Sequence, residues 1–81
     1  MSEVKELTFG QKAVGISFNP GGNPSVKEIK QKYADAIDFL NDFRNDVNPS
    51  LSSEAKRQAS IAITELQTSQ MWAVKALTWV D

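Results

Sequence analysis

From Val26 onward the apolar residues fall into a regular stripe. Val26, Ile29, Tyr33, Ala36, Leu40, Phe43 and Val47 follow one another at spacings of 3, 4, 3, 4, 3 and 4, which places them on one face of an amphipathic helix. This predicts a helix over residues 25–47. Its start can be set in two ways: Ser25 with Glu28 matches a capping box, and Asn23 followed by Pro24 offers a cap with proline in the first turn. Asn48-Pro49 should end it, because proline disfavours helical geometry in the residue before it. A second stripe, Ala55, Ala59, Ala62, Leu66, Ser69, Ala73, Ala76 and Val80, predicts a helix over residues 52–80. Ser50, Ser52 and Ser53 are its candidate caps, and Glu54 sits in its first turn, where the helix dipole favours a negative charge. The second stripe is small and the first bulky, so the two should pack closely, and the short link makes them antiparallel neighbours. Ahead of them residues 1–4 read as a frayed tail, residues 5–14 as a short helix stopped by Gly15, and residues 15–24 as a loop rich in glycine and proline. The fold class is therefore all-α: one domain over residues 1–81, a short N-terminal helix plus a long antiparallel helical hairpin.

A single hairpin interface leaves another face uncovered. Ile61, Glu65, Thr68, Trp72, Lys75 and Trp79 share it, with the two tryptophans seven residues apart. A second copy covers them, the N-terminal segment folds back over them, or both. A chain of 81 residues draws only roughly 3–5 kcal/mol from its own core. Small domains supplement such a core with disulfides, a metal or a partner subunit, and this chain has neither cysteine nor histidine. A homo-oligomer is the expected remedy. No apolar run is long enough for a membrane span, and a soluble, cytosolic protein is expected.

The net charge of −1 argues against binding to a DNA or RNA duplex through many phosphates. Its distribution is uneven. Residues 1–32 hold five lysines against three glutamates, residues 33–54 five acids against Arg44, and the remainder Lys56, Arg57 and Lys75 against Glu65 and Asp81. Local positive patches of this size suit a ligand with two or three phosphates.

The loop supplies the best candidate for such a ligand. Gly21 and Gly22 let the backbone adopt positive φ and let a ligand approach the main chain, while Pro20 and Pro24 restrict it. Asn23, Pro24 and Ser25 then open a helix whose free N–H groups favour an anion. Phe9 and Phe18 offer flat apolar faces nearby, and Lys12, Lys27 and Lys30 offer charge, which together suggests phosphate plus base. The plainer reading is a capping turn with two core phenylalanines, and the lysines at 27, 30 and 32 as ordinary surface. Without histidine or cysteine the commonest general base, metal ligand and nucleophile are missing, so an enzyme is not expected. Asp35, Asp38, Asp42 and Asp46 form a row at helical spacing that could in principle hold a divalent ion, but it reads as a solvated face, and no metal or cofactor is assigned. No P-loop and no GxGxxG occurs. A binder of a phosphate-bearing small molecule and a structural oligomer remain.

The segments LTFGQKAVG (7–15), FNPGGN (18–23), Val26 to Lys30 and QMWAVKALTW (70–79) resemble the small phage proteins of the anti-CBASS two family, which share a helical-hairpin domain with Thoeris anti-defence proteins. The resemblance implies a sponge. Such proteins bind cyclic dinucleotides such as cyclic GMP-AMP, and many also bind cyclic trinucleotides such as cyclic tri-AMP at separate pockets, without cutting them, so that the antiphage effector stays off. It further implies a homohexamer with ligand pockets between subunits, working in the cytoplasm of the infected bacterial host. Carried over by position, Phe9 matches an aromatic residue that stacks on a base, with Gly10 beside it and Lys12 following. The family often has tyrosine there, so this chain lacks the hydroxyl. Asn19, Pro20, Gly21, Gly22, Asn23, Ser25 and Lys27 match the region near phosphates and riboses, with Lys27 the nearest candidate for a phosphate-binding lysine. Arg57 is the candidate for a trinucleotide pocket, and Trp72 and Trp79 wall a pocket or seal an interface. The alternative is a structural or regulatory helical oligomer that binds a protein partner through its tryptophan face. A metal-dependent phosphodiesterase built on the aspartate row is a third reading.

Overall fold

The structure, a computed structural model, describes residues 6–47 and 51–81. Three helices follow one another in the order α1 (Phe9–Ala13), α2 (Pro24–Arg44) and α3 (Ser53–Leu77), and no strand occurs among the described residues.

The ends of α1 are fixed locally. Thr8 Oγ1 accepts the Gln11 N–H at 3.1 Å, and the Thr8 N–H donates to Gln11 Oε1 at 3.0 Å. This reciprocal box starts the helix at Phe9, four residues after the expected start at residue 5, which itself lies outside the described residues. Gly15, at φ +62°, ends the helix. Its N–H donates to the Lys12 carbonyl and that of Ile16 to the Gln11 carbonyl, the paired bonds of a Schellman stop, in which a non-glycine residue would be strained.

Of the two starts open to α2, the structure takes Asn23 with Pro24. Asn23 Oδ1 accepts the Ser25 and Val26 N–H groups at 2.8 and 3.4 Å. The helix closes at Arg44 with Asn45 as cap, short of the expected residue 47; Asn48, Pro49 and Ser50 lie outside the described residues. Ser52 caps α3, accepting the Ala55 N–H at 3.0 Å. This helix stops at Leu77 rather than 80, where the Thr78 hydroxyl turns back to the Val74 carbonyl at 2.8 Å. A threonine hydroxyl that competes for a helix carbonyl favours such an end.

Side-chain bonds among the described residues tie the hairpin, including Tyr33 to Ser69, Arg44 to Ser60, and Lys56 to the Asp46 carbonyl. Partners descend on α3 as they ascend on α2, so the helices are antiparallel. The core gathers Val14, Ala34, Ile37 and Ile63, with Ala13, Ile16, Tyr33, Leu40 and Leu66 against it. Its position corrects the expected stripes. On α2 the buried residues are Val26, Lys30, Ala34 and Ile37, and on α3 Ala59, Ile63 and Gln70. Val26 and Ala59 lie on the predicted lines, whereas Lys30, Ala34, Ile37, Ile63 and Gln70 lie roughly a quarter turn or more from them at 100° per residue. The cause is α1: it brings Val14 into the groove between the long helices, so the centre of burial moves toward it. Ile29, Ala36 and Phe43, expected in the seam, stay half-buried.

Two charged side chains of α2 hold the N-terminal segment. Asp38 Oδ1 accepts the Gly10 N–H at 2.6 Å. Lys30, only 4% exposed, donates Nζ to the carbonyls of Gly15 at 2.9 Å and Phe18 at 2.5 Å. Neither residue is the plain surface charge expected of it. Gly10 is buried so closely that a Cβ there would lie 2.1 Å from the Ala34 carbonyl oxygen.

Candidate functional site

The candidate residues fall into separate groups. In the first, Phe9 opens α1 with 42% of its surface exposed. The Arg44 guanidinium carbon lies 5.3 Å from the ring centroid, within cation–π range. Gly10 faces inward and serves this group by close packing, not by an accessible surface.

The second group is the glycine and proline loop. Phe18, Asn19, Pro20, Gly21, Asn23, Val26 and Lys30 line a shallow cleft of about 200 Å³ against Val74 of α3 and Thr78, which caps it. Asn19 shapes the loop from within: its Nδ2 donates to the Asn23 carbonyl at 2.9 Å, and its Oδ1 accepts the Asn23 N–H at 3.3 Å. Gly22 takes φ +63° at the end of the Asn19–Gly22 turn, a left-handed conformation that glycine adopts freely, whereas Gly21, also expected to use positive φ, does not. Lys12 lines an adjoining depression with Phe18, Lys30, Gln70 and Met71. Phe18 is 72% exposed, its ring centroid 5.5 Å from Lys30 Nζ. Neither Phe9 nor Phe18 is therefore the core phenylalanine of the plainer reading.

The two groups do not meet within one protomer. Phe18 sits by Lys30 and Phe9 by Arg44, and the fourteen residues of α2 between those cations span about 21 Å at 1.5 Å per residue. Ser25 borders a third hollow, with Glu28, Ile29, Lys32 and Leu77, and Lys27 is exposed and lines none of these clefts.

Arg57 is engaged already. Its Nε and Nη2 donate to the two Glu54 oxygens at 2.9 and 2.8 Å. This fork lowers the Glu54 carboxyl below its ordinary value, helped by Gln58, and raises Arg57. Trp72 and Trp79 are 66% and 64% exposed, with Lys75 Nζ between them at 5.1 and 5.9 Å from the ring centroids. The N-terminal segment packs beside Gln70, Met71 and Val74 and leaves both indoles open, which sets aside the fold-back alternative for the described residues.

Among the described residues no group of three or more carboxylates could hold a metal ion, and no helix is long and apolar enough to cross a membrane. The family model described as Acb2/Tad1, hairpin domain, matches residues 11–78. The chain belongs to this family. Neither the curated proteins nor the solved structures contain a match to it. The Acb2/Tad1 hairpin takes in Lys12, the loop, Ser25, Lys27, Arg57 and Trp72; Phe9, Gly10 and Trp79 lie just beyond the matched span. Within it, Arg44 was not singled out as part of a site by sequence reasoning, and Lys30 was read as a phosphate-facing or surface charge, not as the buried clamp it is. A signal for Arg44 was present, since it is the one cation of an acidic stretch. For the burial of Lys30 there was none, because an apolar stripe cannot count a lysine.

Proposed function

We propose that this protein is a phage-encoded sponge, which binds cyclic dinucleotides such as cyclic GMP-AMP, and cyclic trinucleotides in a further pocket, and holds them unbroken so that CBASS immunity is not triggered. The observation that carries this reading is its membership of the Acb2/Tad1 hairpin family. Physical features agree with it. Phe9 keeps an open aromatic surface beside a cation, and aromatic rings stack on bases of any identity. The chain has no histidine or cysteine to attack a phosphodiester. Two copies of the hairpin related by a two-fold axis would offer a charged ring two equivalent aromatic and cationic surfaces. The cations of the two groups, Lys30 and Arg44, are rooted about 21 Å apart along α2, so in this reading assembly brings both groups to one ligand.

The test is to incubate the protein with cyclic GMP-AMP, remove free ligand, denature the protein by heat and chromatograph what is released. Intact ring in amounts comparable to protein supports the sponge. Linear product would instead indicate a phosphodiesterase, and no retained ligand would leave the scaffold reading, for which the exposed pair Trp72 and Trp79 is the specific observation.

A further inference from the structure

Arg44 is the only cation among residues 33–54, where five carboxylates surround it in sequence. An arginine in such company ordinarily pairs with one of them. This one does not: among the described residues the ion pair is Glu54 with Arg57. Arg44 instead donates Nε to Asn41 Oδ1 at 3.0 Å and Nη1 to Ser60 Oγ at 3.1 Å. Both acceptors are neutral, so they orient the guanidinium without cancelling its charge, and those bonds use two of its five N–H donors. The same group lies 5.3 Å from the Phe9 ring centroid.

We infer that Arg44 is the phosphate-contacting cation of the Phe9 surface, so that a ligand stacking a base on Phe9 sets its phosphodiester against the guanidinium. This inference rests on the sponge reading above and adds the residue that reads the charge. A base and its phosphate are parts of one nucleotide, so the cation must lie close to the stacking ring. Arg44 meets that condition, whereas Lys27 lies seventeen residues from Arg44 along α2, about 25 Å. A planar guanidinium also offers a phosphodiester two parallel N–H donors, which a lysine cannot.

Calorimetric titration of cyclic GMP-AMP at low and high salt, into the wild type, Phe9→Ala, Arg44→Gln and Arg44→Lys, tests it. Arg44→Gln should weaken binding about tenfold or more and flatten the salt dependence, because one charge contact is gone, while helix content and sedimentation stay those of the wild type. Arg44→Lys should keep the salt dependence yet bind several-fold more weakly. Wild-type affinity with wild-type salt dependence in Arg44→Gln would overturn the inference and leave the sponge reading intact, with Arg44 only a staple between α2 and α3. Should Arg44→Gln fail to fold, unchanged affinity in Arg44→Lys overturns it equally. Absence of binding by the wild type overturns both.

Discussion

The two ends of the chain solve opposite problems. At the N-terminal end, a five-residue helix is locked onto α2 by a buried lysine, a short carboxylate bond and a glycine with no room for a methyl group. At the C-terminal end, two tryptophans stand open on either side of Lys75. Helix α1 is too short to persist alone, so its existence depends on that clamp; α3 is long and packed along one side and tolerates an unfinished face. The difference teaches where this hairpin is closed on itself and where it leaves an apolar face open.

The sharpest way to break the contrast is Gly10→Ala. The new Cβ would press on the Ala34 backbone and the Asp38 carboxylate, so α1 must lift, at a cost of about 3 kcal/mol in urea unfolding. Lys30→Met should follow at about 2 kcal/mol, since the Gly15 and Phe18 carbonyls lose their donor. Both losses should be the same at every protein concentration. The double substitution Trp72→Ala with Trp79→Ala should behave otherwise. It should move the stability of the dilute protomer by no more than about 0.5 kcal/mol, while removing the rise of the melting midpoint with protein concentration that self-association produces. A large loss at all concentrations would place the indoles inside the protomer.

The smallest effect belongs to Glu54. Its carboxyl is held below the ordinary value of 4.5 by Arg57 and Gln58. A depressed value in the folded state contributes stability above the unfolded value, which is lost as pH falls through the folded one. Glu54→Gln should therefore melt slightly below the wild type at pH 7 and together with it in strong acid, as scanning calorimetry at both pH values would register. The pair is fully exposed, so the shift should be smaller than any of the others.

Much of this contrast was legible in the residues. The heptad spacing, the Asn23-Pro24 start, the Ser52 cap and the Gly15 stop were local signals, and local chemistry decided them. The direction in which the long helices face was not, because periodicity gives a helix an apolar side but does not say what arrives from a third direction. Val14, entering from α1, moved the core toward Lys30 and Ala34 and left Ile29 and Ala36 at its margin. The candidate site was legible as a set of residue types, aromatic, glycine and cation, but not as a constellation. Which cation stands by which ring depends on how α1 docks: Phe18 went to Lys30 and Phe9 to Arg44.

Sedimentation velocity with absorbance followed at the ligand's wavelength probes the central claim most directly, that copies of this hairpin join around a cyclic messenger and keep it whole. With cyclic GMP-AMP added, the account predicts nucleotide travelling with a species heavier than the 9.0 kDa protomer. A boundary at the protomer's own mass, with the nucleotide left behind at the meniscus, would contradict it.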